Sequence, residues 1–132
     1  MDSLWNILVP LDGSAHADRA VRLVMGFHAR LAPVSVHLLH VRAPGSSFAD
    51  GAPMNEKQVF ARARAWLDHA RVPCTHAVRD GYVGATIAAY VHENRCDAVV
   101  MGTRGMGSTE ELLGSIARQV IQLCDVPVTL VK

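Results

Sequence analysis

Residues 102 to 115 hold the side-chain types best suited to gripping an anion. Gly102, Gly105 and Gly107 punctuate a loop that follows an apolar run, and Gly114-Ser115 opens an amphipathic segment. Glycine lacks a Cβ, so a ligand can approach the main chain. A Gly-Ser pair at a helix start sets N–H groups without intrahelical acceptors beside the positive end of the helix dipole. Both features suit phosphate. The competing account is that these glycines only shape turns. Four glycines together with Ser115 at a helix start favour the phosphate. A second chemically apt turn, Asp12-Gly13-Ser14, places an acid directly after another apolar run.

The elements that position these turns can be read from hydrophobic spacing. Leu4 to Leu11 is a strand, and its continuous Ile7-Leu8-Val9 suits burial on both faces. Ser14 is a good N-cap for a helix that runs to about Leu31 and is closed by Pro33. Val34 to Val41 is a second strand, and Arg42 to Pro53 is a loop rich in Gly, Ser and Pro. A helix from about Asn55 to Ala70 follows, with Val59, Ala63, Trp66, Leu67 and Ala70 on one face. Val72 to Val78 is a weaker, more polar strand that fits a sheet edge. A third helix is expected from about Val83 to Asn94, a fourth strand over Ala98 to Met101, a fourth helix over Ser115 to Leu123 and a fifth strand over Val128 to Val131.

Strict alternation of strands and helices predicts a single-domain α/β fold, a doubly wound five-stranded parallel sheet with helices on both faces. The two most apolar strands, the first and the fourth, belong in the centre, which gives the order 3-2-1-4-5. Chain direction then reverses between strands one and four, and a ligand crevice opens beyond their carboxyl ends. Both candidate turns fall at that crevice, which is stronger evidence than either motif alone.

Composition excludes several alternatives. Thirteen basic against twelve acidic residues give a net charge of +1, with no electrostatic footprint for nucleic acid. The Arg62/Arg64 pair reads as a solvated helix face. No apolar run reaches membrane-spanning length, Met1-Asp2-Ser3 has no basic leader region, and the cysteines form no disulfide framework, so a reducing cytoplasm is the expected location. Cys74, Cys96 and Cys124 are odd in number and widely separated, and read as small buried side chains. His28, His37, His69, His76 and His92 show no metal-ligand spacing. A Walker loop fails because no lysine follows a glycine, and a dinucleotide fingerprint fails because only Gly13 follows strand one. Ser115 has no histidine partner evident in sequence. His16 either lines the crevice or sits on the surface, and His40 either flanks a ligand or packs at a strand end. Arg104 either closes over phosphates or is solvated. Glu110 and Glu111 serve a capping box with Ser108 or hold a divalent metal beside phosphate.

Over nearly its whole length the chain resembles the universal stress proteins. The likeness rests on Ile7-Leu-Val-Pro-Leu-Asp-Gly-Ser14, Leu38-Leu-His-Val41, Cys96-Asp-Ala-Val-Val-Met-Gly-Thr-Arg-Gly105, Leu113-Gly-Ser-Ile-Ala117 and Val126-Pro-Val-Thr-Leu-Val-Lys132, in that order. The nucleotide-binding branch of that family carries a glycine, two residues, a glycine, nine residues, then Gly-Ser or Gly-Thr. Gly102, Gly105 and Gly114-Ser115 match it, but Met106 to Leu113 is eight residues, one short. Gly81-Tyr-Val-Gly84 also departs from the family's usual proline-containing turn. The resemblance implies a stress-response regulatory protein that binds ATP, with ADP or AMP as alternatives and Mg2+ as an accompanying ion. It sets Asp12 and the Val41 main chain against adenine and ribose, and Pro10 and Leu11 along that wall. Met101 and Gly102 would meet the ribose or first phosphate. Gly105, Gly114, Ser115 and Ile116 would offer main-chain N–H groups. It further implies a homodimer through Pro127 to Val131 and an unidentified protein partner. The alternatives are a nucleotide-free dimeric interaction protein of the same fold and, behind it, a slow nucleotide hydrolase.

Overall fold

The computed structural model describes residues 4–44, 56–103 and 113–132. Nine elements alternate along the chain: β1 (Trp5–Pro10), α1 (Ala15–Arg30), β2 (Val34–Arg42), α2 (Glu56–His69), β3 (Cys74–Asp80), α3 (Val83–Glu93), β4 (Ala98–Gly102), α4 (Ser115–Leu123) and β5 (Val128–Val131). The strands form one five-stranded sheet in the order β3-β2-β1-β4-β5. Every neighbouring pair is parallel. This is the doubly wound arrangement that strand hydrophobicity predicts. Burial explains it: Leu8, Val9 and Val99 are fully enclosed, which demands the sheet centre.

Two cores follow from the alternation of side chains along each strand. On one face Ile7, Val9, Val36 and Leu38 pack with Val21 and Val24 of α1 and with Phe60 and Leu67 of α2. On the other, Leu8, Leu39, Val99 and Met101 pack with Ile87 and Val91 of α3 and with Ala117 and Val120 of α4. Hence α1 and α2 cover one face, α3 and α4 the other.

The third strand begins two residues later than its spacing suggests, at Cys74, and runs on to Asp80. The helix before it is the cause. Arg71 takes a left-handed φ of 59°. Val72 N–H then bonds back to the Leu67 carbonyl at 2.9 Å, and Arg71 N–H to Asp68 at 3.1 Å. This is a Schellman closure, and it holds Val72 in the helix cap. The third helix ends the same way, with Arg95 at φ 51° and Cys96 N–H on the Val91 carbonyl at 3.0 Å. Glycine is the usual residue at such a site, so arginine hides the signal.

At the carboxyl end of the edge strands, Arg42 makes a two-pronged ion pair with Asp80 (2.7 and 2.9 Å) and a third contact with Glu56 (2.6 Å). The guanidinium links the ends of β2 and β3 to the start of α2. All three side chains are substantially exposed, so the network orients more than it stabilises. Most of the expected loop between Arg42 and Pro53 lies outside the described residues.

Candidate functional site

Sheet register brings the two sequence-distant turns to one rim. Leu8 pairs with Val99 across β1 and β4. Two residues further along these parallel strands, Pro10 comes level with Met101; two more, and Asp12 comes level with Thr103. Both turns therefore leave the sheet at the same end, at the reversal between β1 and β4.

The first turn is built by local hydrogen bonds. Asp12 Oδ1 accepts the Ser14 N–H at 2.9 Å, and Ser14 Oγ accepts the Ala17 N–H at 3.2 Å. Gly13 at φ 86° lets the chain turn between them. Asp12 is exposed, while Ser14, as the N-cap of α1, is buried. Leu11 points to the α1/α2 core and is buried. Its N–H bonds the Leu39 carbonyl at 2.8 Å, and its carbonyl meets His40 Nδ1 at 2.9 Å. His40 thus packs at the strand end, its Nδ1 proton directed at a backbone oxygen. His16 is half-buried, and its enclosed Nδ1 finds no hydrogen-bond partner among the described residues.

The second turn is pinched at its base. Thr103 is buried; its N–H donates to the Val131 carbonyl at 2.9 Å, and its own carbonyl accepts the Gly114 N–H at 2.8 Å. The two ends of the glycine loop are therefore tied to one another and to β5. Gly114 caps α4 in an extended conformation (φ −69°, ψ 158°) with no side-chain cap. Because the Gly114 amide serves Thr103, the amides at the mouth are those of Ser115 and Ile116, which have no intrahelical acceptor. Both residues are exposed. Arg104, Gly105, Gly107, Ser108, Glu110 and Glu111 lie outside the described residues.

Side-chain parity sorts the remaining candidates. Val41 and Met101 belong to the α3/α4 face. Pro10, two residues beyond Leu8, shares it. Three adjacent strands thus present a short apolar row below the N-terminus of α4. Sequence reasoning missed two features here. Thr103 gave no signal, being an ordinary polar residue next to a glycine. The second is the close approach of α3 to α4: a Cβ placed on Gly84 would lie 2.6 Å from Gln119 Cβ. Gly84 therefore lets the N-terminal turn of α3 lie against α4 one turn inside its start. Among the described residues no cluster of three or more His, Cys, Asp or Glu side chains could hold a metal, and no helix is long and apolar enough to cross a membrane.

A family model for the universal stress proteins matches residues 5–132. Among solved structures, the hypothetical protein MJ0577 superposes with a TM-score of 0.82 at 24% identity, covering 97% of this chain and 95% of that one. A universal stress protein from Archaeoglobus fulgidus in complex with dAMP gives 0.72 at 22% identity over 100% of both chains. A universal stress protein in complex with cAMP gives 0.73 at 21% identity over 99% of both. At such identities these likenesses speak for the fold. No curated protein matches the chain.

Proposed function

This chain belongs to the universal stress protein family, and on that premise we propose that it is a cytoplasmic regulatory protein that binds an adenine nucleotide, ATP first, in the crevice between β1 and β4. The observation that carries this reading is the N-terminus of α4, where the N-cap Gly114 is extended and has no side chain to cap the amides of Ser115 and Ile116, on the same rim as the Asp12 turn. An anion there meets two amides and the Ser115 hydroxyl in the field of the helix dipole. Asp12 is suited to ribose hydroxyls, as acids are in other doubly wound nucleotide sites. Pro10, Val41 and Met101 supply an apolar floor, with Leu11 behind them and Gly102 leaving room for the sugar or first phosphate. Arg104 and Gly105 complete the phosphate side, and Mg2+ accompanies the triphosphate. Relatives of the same fold have been solved with dAMP and cAMP, which supports an adenine nucleotide with one phosphate as the shared ligand chemistry.

One observation favours the nucleotide-free alternative: the Gly114 amide is committed to Thr103, which removes a donor from the cradle. Calorimetric titration with ATP and with AMP separates the readings. Saturable binding that weakens in Ser115→Ala supports the nucleotide; no saturation at millimolar ATP or AMP supports the alternative. We further propose a homodimer through β5, acting with a protein partner. The Pro127 and Val131 carbonyls point inward to β4, so Val128 and Leu130 turn their backbone groups to the open edge, where another strand can pair. Val128→Pro removes an outward N–H and should shift the mass measured by light scattering from dimer to monomer. An unchanged mass would place any dimer elsewhere.

A further inference from the structure

Tyr82 is a large aromatic residue left 76% exposed beside the site. Its position follows from the sheet. Arg42 pairs with Asp80 in the β2–β3 register. The Gly81 N–H extends that ladder by one bond, to the Arg42 carbonyl at 3.0 Å. Tyr82 comes next, as the N-cap of α3, on the rim directly beside Val41–Arg42. It is also on the correct face. The α3 helix packs on the side of the sheet that carries Val41 and Met101. Through Gly84 and Gln119, the first turn of α3 lies against α4 one turn from Ser115. Neighbouring strands are about 4.8 Å apart, so β2 and β4 are separated by roughly one nucleoside length. The α4 amides stand at the β4 side of that span, and Tyr82 leaves the end of β3, the strand next to β2.

The floor between them is aliphatic. Proline, valine and methionine exclude water but have no aromatic ring to stack on a base. An exposed tyrosine carries little burial of its own to lose and can turn onto a flat ligand, gaining aromatic stacking at small entropic cost. We propose that Tyr82 is the base-stacking residue of this site, which gives it selectivity for a ligand bearing an aromatic base over a bare phosphate. The inference rests on the nucleotide reading above. It concerns this chain's own turn, where Tyr82-Val83 follows Gly81.

Calorimetric titration of ATP into the full chain and into Tyr82→Ala and Tyr82→Phe tests it, with thermal unfolding of each ligand-free protein as a check on folding. Because the side chain is exposed, all three proteins should unfold at the same temperature. Tyr82→Ala should weaken ATP binding roughly tenfold or more, the loss expected for one base–aromatic stack, while Tyr82→Phe binds like the parent. Unchanged affinity in Tyr82→Ala overturns the stacking role and leaves the nucleotide reading standing. Equal weakening in Ala and Phe assigns the effect to the hydroxyl and also overturns stacking. Failure of the unmodified protein to saturate with ATP overturns the nucleotide reading and the inference with it.

Discussion

The same substitution, glycine to alanine, should have opposite effects in two helices of this protein. In α3, a Cβ on Gly84 would lie 2.6 Å from Gln119 Cβ. Ordinary carbon–carbon contacts begin near 3.5 Å, so the helices must part by about 0.9 Å or tilt. The obstacle is a Cβ fixed to the α4 backbone, so a change of rotamer cannot relieve it. Overpacking of this kind costs about 1–3 kcal/mol. The propensity gain on replacing helical glycine returns at most about 1 kcal/mol, and less in a first turn. A net loss of about 1–2 kcal/mol is expected, lowering the melting temperature by roughly 3–10 °C for a domain of this size. In α1, none of the described residues lies within 4 Å of a Cβ on Gly26, so Gly26→Ala should stabilise by about 0.5–1 kcal/mol. Urea unfolding of both variants, with a Gln119→Gly partner, measures the difference. Gly84→Ala should cost little once Gln119 is glycine, because the coupling resides in that one contact. If both alanines shift stability in the same direction, or if Gln119→Gly fails to rescue, the close α3–α4 approach is not what Gly84 serves.

Other outcomes are expected from single features. Ser14→Ala removes the hydroxyl that accepts the Ala17 N–H and should cost about 1 kcal/mol in urea unfolding. Arg95→Gly relieves a left-handed arginine at φ 51°. With αL strain of about 1–2 kcal/mol per residue set against glycine's entropic penalty of about 0.5–1 kcal/mol, it should raise stability by about 0.5 kcal/mol, measured in the same way. Burial lowers the His37 pKa from its usual 6.5, so the folded state resists a proton that the unfolded chain accepts. The stability it contributes is complete above about pH 6.5 and declines as pH falls through the lowered value; unfolding midpoints between pH 5 and 8 should vary less in His37→Gln than in the parent. Asp12→Asn replaces a charged acceptor with a neutral one and should weaken ATP binding about tenfold or more by calorimetry, the loss of a charge-assisted hydrogen bond. Unchanged affinity would remove Asp12 from the sugar site.

The fold was legible because its main determinant, burial on both faces, writes itself into consecutive residues. Ile7-Leu8-Val9 and Val99-Val100 are apolar without alternation, and that alone puts β1 and β4 in the centre and fixes the position of the crevice. Helix starts were legible where a polar cap marks them, as Ser14 does. Helix ends were less so where the left-handed residue is arginine. Arg71 looks like any surface cation, yet its backbone moves the start of β3 from Val72 to Cys74. Identity at such a position follows from backbone geometry that tertiary packing selects, and a propensity scale carries no trace of it.

The candidate site divides along the same line. Asp12 and Gly114-Ser115 could be found in sequence because each sits in its own turn and its chemistry is local. What links them is not local. Thr103 ties the glycine loop to β5 and to Gly114 through main-chain atoms alone, and main-chain atoms are the same for every residue. Gly84 shows the strongest case: its reason lies in Gln119, thirty-five residues away in sequence, and only the packed pair explains it. That contact holds the start of α3, and so Tyr82, against the helix whose first amides face the proposed phosphate. Spreading α3 from α4 should therefore loosen both ends of the ligand together, so Gly84→Ala should lose ATP affinity as well as stability. Measured against Gln119→Gly alone, Gly84→Ala should cost neither; affinity still lost where stability is not would show that the helix pair supports the fold without setting the site.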